Sequence, residues 1–96
     1  MAAGPDHVPR ARGDVALQRV GREAILHDAA SGQAHVINGS AARVWELADG
    51  RPVDDLLQAF AAPYGLLPDD VRDDVRQVLH RFAALGLLED GDTDGP

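Results

Sequence analysis

Five apolar residues near the C-terminus, Val71, Val75, Val78, Phe82 and Leu85, step by 4, 3, 4 and 3 positions. Only a helix gathers such a series into one narrow stripe. Pro68 suits its first turn, and Asp69 and Asp70 complement the positive end of the helix dipole. His80 and Arg81 sit nearer the negative end, and Gly86 stops it. A stripe of this kind must lie against something. In a chain of 96 residues that means one modest core, so the rest of the sequence has to supply its partners.

Three short runs upstream read as strands. "DVALQRV" (14–20) alternates Val15 and Leu17, with Val20 less regular. "EAILHD" (23–28) follows Gly21-Arg22, a two-residue link with the glycine a hairpin turn needs. "QAHVIN" (33–38) follows Ser31-Gly32, which carries turn chemistry. The runs predict a three-stranded antiparallel meander whose last strand lies at an edge. Immediately after it the period changes: in "HVINGSAARVWELADG", Val44, Trp45 and Ala48 already recur at helical spacing. A first helix is expected from Ser40 to Asp49, stopping at Gly50, with Asn38 or Ser40 capping its exposed amides. For Ser40, capping is the ordinary role. A second helix, from Val53 to about Ala62, puts Val53, Leu56, Leu57 and Phe60 on one face, ends at Pro63 and leads through "YGLL" into the third. Strands followed by helices make a small α+β domain, expected over 14–90. Loose tails are expected at 1–13 and 91–96.

Inventory argues against catalysis. Ser31, Ser40, Thr93 and Tyr64 are the candidate nucleophiles; Ser31 sits in a turn, Ser40 opens a helix and Thr93 lies in a tail. Cysteine is absent, and all nine basic residues are arginine, so neither a thiol nor a lysine Schiff base is available. The paired acids Asp54-Asp55, Asp69-Asp70 and Asp73-Asp74 are helix neighbours that diverge, which suits a solvated face better than an acid–base pair. His27 and His35 face one another across the second hairpin in this reading, yet no third ligand accompanies them, and zinc needs three or four. Neither a metal nor a cofactor is expected. No stretch approaches the length of a membrane span or a signal peptide, and a cytoplasmic domain is expected.

Recognition remains, in two forms. A winged helix would read DNA with its third helix, but the N-terminal half of that helix carries Asp69, Asp70, Asp73 and Asp74, and the formal net charge is -7. Duplex DNA is bound through cations, so this stays the weaker alternative. The other form is peptide capture. "QAHVIN" has no charge and no proline to block an edge, so an extended peptide can add to it as a fourth strand. The same bare edge permits self-pairing, leaving monomer and weak homodimer both open.

Read together, "SGQAHVINGSAARVWELADGRPVDDLLQAF", a tyrosine-glycine, and "DDVRQVLHRFAALGLLE" resemble the PqqD-like family of RiPP recognition elements. The marks are the hairpin with Asn38, the small pair Ala41-Ala42, Trp45, Asp49-Gly50, Asp74-Val75 and Gly86-Leu87-Leu88, over roughly Val15 to Glu89. The resemblance implies a winged helix-turn-helix-like fold. It also implies binding of a ribosomal precursor's leader peptide and its presentation to a modifying enzyme, such as a radical SAM protein or a leader peptidase. Carried over, the leader would pair with Gln33, Ala34, His35, Val36, Ile37 and Asn38 and lie beside the third helix. Helical period groups Arg72, Arg76, Leu79 and Ala83 on one flank of that helix and Asp74 with Arg81 on the other. The first flank is taken as the groove wall. Arg72 and Arg76 are equally well placed to pair with Asp69 and Asp73 along the helix. Leu67, before Pro68, has no side chain able to cap, and nothing in the final stretch ties the chain to pyrroloquinoline quinone synthesis in particular.

Overall fold

The computed structural model describes residues 8–89. Strands β1 (Val15–Val20), β2 (Glu23–Asp28) and β3 (Gln33–Asn38) form one antiparallel sheet in the order β1-β2-β3. Helices α1 (Gly39–Leu47), α2 (Val53–Ala61) and α3 (Pro68–Ala84) follow, with a 3-10 turn, Ala62–Tyr64, after α2. This is the expected α+β arrangement of three strands and then three helices. Pro63 does not simply end α2, because it is accommodated in that tighter turn, which Gly65 closes at φ +68°.

Register decides which residues meet the helices. Leu17, Leu26 and His35 stand opposite one another, as do Arg19, Ala24 and Ile37. Ala24, Leu26 and Ile37 are buried, so this is the core face. The intervening row, Gln18, Ile25 and Val36, faces outward. α1 packs on β2 and β3 and against both other helices. Its Trp45 meets Phe82 of α3 edge-on, with ring centroids 5.3 Å apart and planes at 86°, a favoured aromatic geometry. Leu56, Leu57 and Phe60 of α2 bury their shared face as the spacing predicts.

The helix stripe holds through Phe82 and then departs from expectation. Leu85 is 39% exposed, because Gly86 (φ +72°) turns the chain and sends Leu87 and Leu88 inward instead. At the other end of α3, Leu67 offers no capping oxygen, but Asp70 reaches back to accept from the Leu67 amide at 3.0 Å. Half of a capping box therefore forms.

The N-terminal boundary also shifts. Val8 is buried, its amide donates to the Arg51 carbonyl, and Ala11 forms a β-bridge with Leu88. From Val8 onward the segment expected as a tail is thus part of the fold; residues 1–7 and 90–96 lie outside the described residues. Arg12 fastens this segment. It donates to Asp14, to the buried Asp28 at 3.1 Å and to the Gly86 carbonyl at 2.7 Å, joining the first residues, the end of β2 and the end of α3.

Burial alone would raise the Asp28 pKa. Hydrogen bonds from Ser31 and from the Ala30 and Ser31 amides, with the Arg12 charge, outweigh it and hold the carboxyl below its ordinary value of 3.8. A depressed carboxylate stabilises the fold above its unfolded pKa, and that stability disappears as pH falls through the lower folded value. Asp28→Asn should therefore lower Tm at pH 7, and the gap to wild type should narrow below pH 3.8 in a Tm-against-pH series.

Candidate functional site

β3 pairs with β2 on one side, and no described strand pairs with its other side. The direction of its backbone groups follows from the hairpins. Gly21-Arg22, with Gly21 at φ +62°, is a two-residue turn that closes on the pair Val20 and Glu23. Hydrogen-bonded and non-bonded pairs alternate along an antiparallel ladder. Ile25 and His27 therefore direct their groups to β1, and their partners Val36 and Ala34 direct theirs to the open edge. The Val36 side chain is 57% exposed on the outer face of the sheet.

At its end β3 becomes α1 without a loop. Asn38, the last strand residue, is also the helix cap: its side-chain oxygen accepts from the Ala41 amide at 2.8 Å. The capping role open to Ser40 from sequence thus belongs to Asn38, and Ser40 lies one residue inside the helix. Gly39 between them has a steric reason to be glycine. A Cβ there would stand 2.9 Å from the Arg22 carbonyl oxygen, so α1 starts in close contact with the β1–β2 turn.

Beside this junction opens a cavity of about 480 Å³. Val44 of α1, Phe60 of α2, and Val71, Val75 and Val78 of α3 form its apolar walls, with Tyr64 and Leu66 from the connection. Asn38, Ser40, Asp74 and Gln77 bring polar groups to it. Arg43 braces the far wall. Its guanidinium lies 4.7 Å from the Phe60 ring centroid and 5.2 Å from that of Tyr64, and it donates to the carbonyls of Phe60 and Ala59 at the end of α2. α1 contacts both β3 and α3, so it forms the floor between strand and helix.

Of the residues singled out in the sequence, Gln33 through Asn38 form β3, and Asn38 reaches the cavity. Arg72, Arg76, Leu79 and Ala83 do not line it; the helix wall comes from the Asp74 flank. Leu79 packs against the core, and Arg72 pairs with Asp69 at 3.0 Å. The corresponding pair between Arg76 and Asp73 is not formed among the described residues. Ser40, Val44, Phe60, Tyr64, Leu66 and Gln77 were not anticipated. A signal existed for two of them, since Tyr64 and Leu66 remain apolar after every helical stripe has been assigned.

The two hairpin histidines do not meet. His27 pairs with Ala34 on the outer face and contacts Gln18 at 2.8 Å, whereas His35 pairs with Leu26 on the core face. A one-residue offset in register separates them completely. Among the described residues no group of three or more histidine, cysteine, aspartate or glutamate side chains is arranged to hold a metal.

A family model described as Coenzyme PQQ synthesis protein D (PqqD) matches residues 23–88. The chain belongs to the PqqD family. Its matched span runs from β2 to Leu88, so both the open strand and the helix wall of the cavity fall within the PqqD region. No curated protein matches the chain in sequence. Among solved structures, that of TbiB1 in complex with the TbiA(beta) leader peptide aligns with a TM-score of 0.71 at 24% identity, covering 88% of this chain and 99% of that one. The likeness shows a shared fold.

The strand–helix junction gives a direct mutational expectation. Gly39→Ala should cost about 1–3 kcal/mol, the usual range for forcing volume into a packed site. The loss would be read by urea unfolding, with amide shifts concentrated at Arg22 and the β1–β2 turn.

Proposed function

We propose that this PqqD-family chain binds the leader segment of a ribosomally made precursor peptide and presents it to a modifying enzyme. The observation that carries the reading is the open edge of β3, with Ala34 and Val36 directing their backbone groups outward beside a preformed cavity. A guest strand would pair there through main-chain hydrogen bonds, while its inward side chains would reach the cavity; this is strand addition with side-chain selection. Roughly 5–6 guest residues match ordinary strand length. TbiB1, the solved relative in fold, is itself held in complex with a leader peptide.

For the helix side, we place the contact at Asp74, Gln77 and Val78 rather than at Arg72, Arg76, Leu79 and Ala83. The role is that of a carrier, not a catalyst, and it belongs to the cytoplasm, where such precursors are made. Micromolar affinity, about -8 kcal/mol, suits a carrier that must also release its cargo. The self-pairing that the edge permits would compete with the guest, which favours a monomer once the peptide is bound. Duplex DNA is the poorer ligand: the N-terminal half of α3 presents Asp69, Asp70, Asp73 and Asp74 at the surface.

Val36→Pro tests the reading. It removes an N–H that takes no part in the β2–β3 ladder, and proline is tolerated on edge strands. Titration with a labelled leader peptide, followed by fluorescence anisotropy, should show binding weakened by up to about tenfold, the upper end for one lost main-chain hydrogen bond. The circular dichroism of the variant should match wild type. Unchanged affinity would remove strand addition from consideration.

A further inference from the structure

The cavity beside β3 is apolar on most of its wall and carries one formal charge, the carboxylate of Asp74. That carboxylate has no hydrogen-bond or ion-pair partner among the described residues. No described cation is paired with it, and Arg76, itself without an ion-pair partner among the described residues, does not line the cavity. Arg72 is paired with Asp69 on the opposite flank, and Arg43 lies against Phe60 and Tyr64 with its donors on backbone carbonyls. Arg81 shares the Asp74 flank but sits seven residues along, about 10 Å up the helix axis. Asp70, on the same flank, is occupied by the Leu67 amide. Asp74 is exposed in the uncovered groove, so its oxygens are open to solvent. A guest strand laid across it would strip part of that water away, and an ionised carboxylate accepts hydrogen bonds without donating any.

From this we infer that Asp74 sets a charge requirement on the guest: a lysine or arginine on the same face of the peptide as an apolar anchoring residue. The inference rests on strand addition at β3. Alternate residues of an extended guest share one face about 7 Å apart, so an apolar side chain entering between Val75 and Val78 leaves the residue two positions away at the rim. A long basic side chain suits that place, because its methylenes cover apolar wall while its head reaches the carboxylate. An acidic residue there would bring two like charges together on a chain whose formal net charge is already -7. The groove is thus selective for cationic, not acidic, leader segments, opposite to what Arg72 and Arg76 would have favoured.

Panning a random dodecapeptide phage library against the full chain, Asp74→Asn, Asp74→Lys and Val36→Pro in parallel tests both levels. Wild type should enrich peptides with lysine or arginine two positions from an aliphatic or aromatic residue. Asp74→Asn should keep the apolar preference and lose the basic one, and Asp74→Lys should enrich aspartate or glutamate at that position. Individual basic peptides should bind Asp74→Asn about fivefold more weakly, the upper size of a partly exposed ion pair, and the difference should shrink as salt is raised. Circular dichroism of Asp74→Asn, an isosteric change at the surface, checks that its fold is intact. Apolar enrichment without a basic preference in wild type, or a basic preference that survives Asp74→Asn, overturns the charge requirement and leaves strand addition standing. No enrichment by wild type, or enrichment unaffected by Val36→Pro, overturns strand addition and the charge requirement with it.

Discussion

The rest of the structure depends on the contact between Asn38, Gly39 and the β1–β2 turn. One residue ends the strand and caps the helix, and the next is held against a backbone carbonyl that leaves no room for a side chain. Because no loop intervenes, the direction of α1 is fixed relative to the sheet. Trp45 then reaches Phe82, α3 takes its place through that contact, and the distance between α3 and β3 follows. A longer connection would let α1 roll over the sheet and change the width of the cavity. Rigidity at this point matters for recognition, since a groove already formed avoids the entropic cost of forming it on binding.

Much of the fold was readable because its devices are local. The α3 stripe, the glycines of both hairpins, and the cap-forming residues before α1 each act within a few positions, and each element formed within a residue or two of its expected bounds. What escaped the sequence was settled by distant parts. The stripe Val71, Val75, Val78, Phe82 defines the core side of α3 but leaves two flanks equivalent, and only the placement of α1 and β3 makes Asp74 and Gln77 the groove wall. Val8 is a single apolar residue among prolines and an arginine, with no period to announce its burial. His27 and His35 were separated by register, a property of the pairing rather than of the residues.

Arg12 ties the ends of this framework together. By reaching Asp28 and the Gly86 carbonyl, it holds the C-terminal end of α3 near the β2–β3 loop, where β3 begins, while the Asn38 end of β3 opens on the middle of α3. β3 and α3 therefore run in opposite directions, and β3 meets the cavity at its Asn38 end. Most of the chain's carboxylates are solvated or locally paired, as Asp49 is by Arg51, which pushes its pKa down to about 2. Asp74 alone among the cavity-lining residues brings an unbalanced charge to the place where a guest would lie.

The central claim is that an extended peptide docks by main-chain pairing along the exposed side of β3, and residue-resolved hydrogen exchange measures it most directly. In the unliganded protein, the Ala34 and Val36 amides should exchange quickly, while those of His35 and Ile37, directed into the sheet, are protected. Saturating leader peptide should slow Ala34 and Val36 by at least about tenfold and leave His35 and Ile37 nearly unchanged, since only amides newly bonded to a guest gain protection. Protection rising equally at all four positions, or not at Ala34 and Val36, would contradict the account.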